Sequence, residues 1–272
     1  ISRKNTGWGI PLPFDNNFVN WVWFDALLNY PSNVNTHQLK KFWPADIHLT
    51  AHDIMWHHSI VWLSILAATK QKFPKKLLVH GFIQGEGGVK MSKSLGNVVD
   101  PIELSQEFPI DSIRYFLVRE IPTGLDGSFS KKALIERHNS ELVNDLSNLH
   151  NRTLSMVEKY FPTKVSKSAK NLLLKKLNFK VIDSYINSYQ LNIALSEIWK
   201  FINECNKFIS DTKPWEIKDN PKKLESLMYN ILESLRVIAI LLEPFMPSTS
   251  EKIFLSLGLK FQNFKQIKFG LI

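Results

Sequence analysis

Between Gly85 and Asn97 the chain reads G-E-G-G-V-K-M-S-K-S-L-G-N, which sets Lys90 and Lys93 three residues apart with Ser92 and Ser94 beside them. Glycines at 85, 87, 88 and 96 make that backbone pliable enough to open and close. Lysines on such a stretch suit phosphate chemistry. When a nucleotide's α-phosphorus is attacked, negative charge builds on the departing pyrophosphate. A poised ammonium stabilises that transition state more than the ground state. The pattern G-x-x-x-x-G-K-[ST] does not occur, which disfavours a P-loop nucleotide hydrolase. Taken alone, K-M-S-K-S also fits a solvated loop.

The elements around the loop sharpen the choice. "NWVWFDALLNY" (20–30), "DIHLTAHDIMW" (46–56) and "KLLVHGFI" (76–83) each hold an expected strand, and "HHSIVWLSILAATK" (57–70) reads as a helix between two of them. Strand, helix and strand make a βαβ unit and therefore parallel sheet. Ligands of such sheets bind beyond the carboxyl ends of the strands, where the lysine loop follows. From Ser130, an expected N-cap, the pattern turns helical. Ile135, Leu142, Leu146, Leu149 and Met156 form one stripe, and Leu172, Phe179, Ile182 and Tyr185 a second. A third is Ala194, Ile198, Phe201, Cys205 and Phe208; a fourth is Leu224, Leu227, Ile231, Leu235, Ile238 and Leu242. Pro214, Pro221, Pro244 and Pro247 stand at the breaks, so four or five amphipathic helices form a bundle.

Composition sets limits on function. The 272 residues are 44% hydrophobic and 22% charged, and no apolar run reaches the roughly 18 residues a membrane span requires. One cysteine allows neither an internal disulfide nor a cysteine-based zinc site, which fits a reducing compartment. We expect the cytoplasm, with an organellar matrix as the alternative. A net charge of +9 suits a polyanionic partner, or merely a lysine-rich genome.

Six blocks in fixed order extend the K-M-S-K-S pattern: "ISRKNTGWGIPLP" (1–13), "VWFDALLNY" (22–30), "HGFIQGEGGVKMSKSLGNVVDP" (80–101), "DSIRYFLVREIP" (111–122), "NLHNR" (148–152) and "KPW" (213–215). In these blocks the chain resembles the methionyl-tRNA synthetases of class I over essentially its whole length. The resemblance implies an α/β Rossmann-type catalytic portion with an incomplete parallel sheet, followed by an all-α anticodon-binding bundle. The implied divisions are 1–88 for the later half of the catalytic domain, 89–129 for the lysine loop and connecting region, and 130–272 for the bundle. It implies methionine–tRNA ligation, with methionine, tRNA(Met) and ATP with Mg2+ as partners.

Carried over residue by residue, the resemblance implies a methionine pocket of Trp23, Tyr30 and His58. Adjacent helical residues point about 100° apart, so of His57 and His58 only one is expected to face a site, and the match selects His58. ATP contacts fall to Asp53, His80, Gly81, Ile83, Lys90, Met91, Ser92 and Lys93. Lys93 is the implied main transition-state lysine and Lys90 its support. Asn148 and Arg152 share a helix face and, with Pro214 and Trp215, would read a CAU anticodon through base edges and stacking.

Two departures stand out. Ala51-His52-Asp53 replaces the usual Gly-Lys-Asp, which puts nucleotide affinity in question. The other class I signature, H-I-G-H, is absent. The resemblance places it in an N-terminal half of the enzyme, with the only expected zinc ligands, carried either by the same gene or by a separate chain. The alternative function is a tRNA-binding module derived from a synthetase and without catalysis.

Overall fold

The computed structural model describes residues 2–34, 40–161, 164–168, 171–217 and 219–260. Contacts divide the chain into two compact units, one of residues 1–82 with 124–126 and one of residues 83–123 with 127–272.

The first unit opens with a small antiparallel sheet of β1 (Ser2–Lys4), β2 (Pro11–Leu12) and β3 (Asp15–Asn20) in the order β1-β3-β2. The next segment corrects an expectation. Residues 22–30 do not form a strand; they belong to helix α1 (Val22–Val34). Their aromatic and β-branched content favours extended chain. Tertiary packing overrides it: Trp23, Leu27 and Leu28 lie near one helix face and join Trp62, Ile65 and Leu66 in a core cluster. Strand β4 (His48–Ala51) pairs in parallel with β5 (Leu77–His80), register His48 to Leu77 through Ala51 to His80. A π-helical turn (His57–Val61) and helix α2 (Trp62–Ala68) connect them, giving the expected βαβ unit.

The second unit begins with β6 (Ile83–Gln84), which runs parallel to β7 (Gly127–Ser128). Between them lie the lysine loop, α3 (Pro101–Glu107) and α4 (Ile110–Glu120). Asp100 caps α3 by accepting from the Ile102 amide at 2.7 Å. Leu104, Ile113, Phe116, Phe129 and Leu134 form a small core here, with Met91 and Val99 packed on it.

Next come α5 (Lys131–Arg137), a π-helical segment (His138–Ser147) and α6 (Asn148–Tyr160), an unbroken helical run. Ser130 caps it as expected, its hydroxyl accepting from the Ala133 amide at 3.1 Å. The π segment explains why Ile135 stays 44% exposed while Leu142, Leu146, Leu149 and Met156 are buried. Extra residues per turn shift the face, so a stripe read at α-helical spacing loses register across it. Helices α7 (Phe179–Asn187), α8 (Leu191–Thr212), α9 (Pro221–Leu242) and α10 (Pro247–Ser256) complete the bundle. Pro214, Pro221 and Pro247 each occupy a first helical position. Leu172 is exposed rather than in the core, because it precedes the helical turn at Leu174–Lys176, its amide tied to Asn230 at 2.7 Å.

A partly buried polar centre links α4 to the π segment. Glu141 accepts from the Tyr115 hydroxyl, from Arg119 at 3.2 Å and from Arg137 at 3.0 Å, and Arg137 also pairs with Glu120 at 2.5 Å. No helix among the described residues is long and apolar enough to cross a membrane.

Candidate functional site

In the first unit α1 and the turn after β4 bring Trp23, Tyr30 and His58 together. His58 is 4% exposed, and its Nδ1 lies 3.0 Å from the Ile54 carbonyl, which can only accept. A proton on Nδ1 satisfies that carbonyl and leaves Nε2 to accept from the Tyr30 hydroxyl at 2.9 Å. Trp23 meets His58 edge-on with ring centroids 5.9 Å apart. The tryptophan also stacks on His57 at 4.1 Å, a contact absent from the sequence reading, while Trp21 meets His57 at 5.0 Å. Behind Tyr30 lies His48 at 4.4 Å, and Trp62 at 5.9 Å. Burial raises the Tyr30 pKa above that of a free phenol. Burial, then the neighbouring charge of His58, lowers that of His48. The result is an aromatic cluster with one fixed hydroxyl, suited to a polarisable apolar side chain.

Further residues stand at the carboxyl ends of β4 and β5. Asp53 is exposed on the helical turn His52–Ile54 that follows β4. Ala51 has φ −80° and ψ 158°, ordinary extended backbone, so this position does not itself need glycine. Gly81 does need to be glycine, because a Cβ there would lie 2.1 Å from the Leu125 carbonyl oxygen. His80 donates from Nδ1 to the Gly81 carbonyl at 2.8 Å. Asp126 accepts from the Phe82 amide at 2.7 Å, and its carboxylate stands 3.6 Å from His52 Nδ1. The rings of His52 and Phe82 are 4.4 Å apart, so His52 braces the turns after both strands.

In the second unit the lysine loop follows β6, with Ile83 half exposed on that strand. Gly87 and Gly88 have φ of 72° and 78°, left-handed backbone that glycine adopts without strain. Lys90 is exposed, whereas the Met91 side chain is packed on the small core. Ser92 caps the helical turn Lys93–Leu95, its hydroxyl accepting from the Leu95 amide at 3.3 Å. The Lys93 side chain lies outside what the structure describes.

The same unit pairs Arg152 with Trp215. The Arg152 guanidinium carbon is 5.9 Å from the Trp215 ring centroid, a cation–π geometry. Lys213, at φ 40°, turns the chain into Pro214–Glu216; there Pro214 is buried and Trp215 is 40% exposed. Asn148 is exposed one helical turn before Arg152.

The profile described as "tRNA synthetases class I (M)" matches residues 1–154, more than half of the chain. The chain belongs to the class I methionyl-tRNA synthetase family. A second profile, "Anticodon-binding domain of tRNA ligase", matches residues 172–267. The methionine–tRNA ligase of Caldanaerobacter subterraneus subsp. tengcongensis is 44% identical across all of the chain, which covers 45% of that ligase. That of Bacillus subtilis is 38% identical over 97% of the chain, covering 42% of the relative. A solved Mycobacterium tuberculosis methionyl-tRNA synthetase in complex with methionyl-adenylate superposes with a TM-score of 0.81 at 33% identity, over 93% of this chain and 53% of that one. The chain thus spans about half the length of the synthetases it matches.

Within this synthetase fold the expected α/β catalytic portion followed by a helical anticodon-binding domain is present. No group of three or more His, Cys, Asp or Glu residues among the described ones is arranged to hold a metal. The sequence reading set His57 aside in favour of His58, named His52 only as a departure beside Asp53, and gave Asp126 and Asn97 no role. For His57 the sequence held no signal, because the stacking depends on where α1 places Trp23.

Proposed function

We propose that this chain is the part of a methionine–tRNA ligase that carries the methionine side-chain pocket, the pyrophosphate-stabilising lysines and the anticodon-reading surface. Residues 1–88 form the later half of its nucleotide-binding domain, 89–129 the lysine loop and connection, and 130–272 the bundle. An N-terminal half supplies the rest of the catalytic domain.

The methionine thioether lies against Trp23, Tyr30 and His58. Asp53 takes hydrogen bonds from the ribose hydroxyls of ATP, and backbone groups at His80, Gly81 and Ile83 meet the adenine. Mg2+ arrives on the triphosphate. The methionine carboxylate attacks the α-phosphorus; the new oxygen–phosphorus bond forms as the bond to the bridging oxygen breaks, and pyrophosphate leaves. Lys93, supported by Lys90, neutralises the charge gathering on that leaving group, and Met91 and Ser92 complete the ATP-binding loop. Transfer to tRNA(Met) follows on the complete enzyme, with Asn148, Arg152, Pro214 and Trp215 reading the anticodon.

The observation that carries this reading is the Tyr30–His58 pair walled by Trp23, hydrogen-bonded at 2.9 Å. A module that only binds tRNA has no use for a fixed hydroxyl in an aromatic pocket. In the full-length enzyme, Lys93→Ala should slow methionyl-adenylate formation in single turnover, on the order of a hundredfold, with methionine affinity kept. An unchanged rate would remove the lysine from the chemistry. No adenylate formation by the unaltered full-length protein, with tRNA binding retained, would favour the non-catalytic module.

A further inference from the structure

One side chain ties the lysine loop together, and no role above includes it. Asn97 Oδ1 accepts from the Ser92 amide at 2.8 Å, and its Nδ2 donates to the Lys90 carbonyl at 3.1 Å. A single carboxamide therefore grips the backbone on both sides of Met91, whose own side chain is anchored on the Leu104–Phe116 core. The return of the chain to this position depends on Gly96, at φ +64°. No atom lies within 4 Å of where its Cβ would stand, so the demand there is conformational and not steric.

From Ser92 the grip extends forward. The Ser92 hydroxyl accepts from the Leu95 amide at 3.3 Å and closes the helical turn whose first residue is Lys93. The backbone at both lysines is thus referred to one amide side chain. Asparagine suits the task because it offers an acceptor and a donor at the same reach; aspartate offers only acceptors and alanine neither.

We propose that Asn97 is a positioning residue for adenylation, holding Lys90, Ser92 and the turn that starts at Lys93 in the arrangement the departing pyrophosphate meets. Asn97 can act this way only if the lysines act as set out under Proposed function, so Lys93→Ala is made alongside as the control.

The test uses the full-length enzyme with Asn97→Ala and Asn97→Asp. Loss of two net hydrogen bonds should lower kcat for methionine-dependent pyrophosphate exchange about tenfold to thirtyfold. KM for methionine and the melting temperature should stay unchanged, since Asn97 belongs to neither the aromatic cluster nor the bundle core. Without nucleotide, trypsin should cut faster after Lys90 and Lys93, followed by mass spectrometry, while cuts elsewhere keep their rates. Asn97→Asp should fail to restore kcat, having no donor for the Lys90 carbonyl. Unchanged kcat in Asn97→Ala beside a slow Lys93→Ala would overturn the positioning role and leave the lysine reading standing. Unchanged kcat in both would end the lysine reading as well. A kcat loss matched by a lower melting temperature, or full activity in Asn97→Asp, would also overturn it.

Discussion

Tyr30 has one hydroxyl proton, and the surroundings of His58 decide where it goes. Because Nδ1 of His58 is committed to the Ile54 carbonyl, the tyrosine donates to Nε2 and keeps its lone pairs for a ligand. Tyr30→Phe removes that donor and leaves an unpaired ring nitrogen in a nearly closed site, costing about 1–3 kcal/mol. If the methionine side chain lies here as proposed, the hydroxyl serves it alike before and during the reaction. In the full-length variant KM for methionine should therefore rise about fivefold or more, while kcat moves less than about twofold. Steady-state exchange kinetics check this, and a fall in kcat at constant KM would place the hydroxyl in the chemistry instead. At this scale Trp23, Tyr30 and His58 were nameable from residue order, because the resemblance supplied their roles. His57 was not, since its stacking on Trp23 depends on where α1 lies, and spacing along the turn does not report that.

Elements were legible where their periodicity was long, and misread where composition and packing disagreed. The bundle helices follow their apolar stripes closely, with Ala194, Ile198 and Cys205 fully buried on α8. Helix α1 was misread because an apolar run of about nine residues fits strand or helix equally, and only the Trp62 cluster selects the helix. Strand β4 carries a consequence for pH. Its His48 is buried with no partner for Nδ1, and burial followed by the charge of His58 lowers its pKa. The unfolded chain thus takes up a proton near the ordinary value of 6.5 while the folded one resists. Stability contributed by neutral His48 is present above that value and lost as pH falls through the lower folded value. Melting curves between about pH 7.5 and pH 5 should show a steeper loss for the wild type than for His48→Gln. Equal slopes would mean the ring is not the titrating group. On the π segment, Glu141 is 13% exposed and paired with two arginines, so Glu141→Gln leaves Arg119 and Arg137 under-compensated. Urea unfolding should show a loss of about 3 kcal/mol, and a loss under about 1 kcal/mol would make the network dispensable.

For the whole molecule, the two compact units hold different parts of the proposed sites. The first holds the aromatic cluster and the largely exposed Trp8, Ile10 and Phe14. The second holds the lysine loop and the Arg152–Trp215 pair. The net charge of +9 suits a nucleic-acid partner, but it does not say which surface reads sequence. Trp215 can separate the two functions. Its ring is 40% exposed under the Arg152 guanidinium, while Pro214 beside it is the buried residue. If an anticodon base stacks there, Trp215→Ala in the full-length enzyme should raise KM for tRNA(Met) on the order of ten- to a hundredfold, the value of a base–aromatic stack. Methionine activation should stay near wild type, because Trp215 belongs to neither the aromatic cluster nor the lysine loop. A ring that merely fills space at a helix junction would instead lower the melting temperature and depress activation and aminoacylation together. Measuring both activities and the melting temperature of one variant distinguishes the cases, and a parallel fall in all three would end the anticodon assignment.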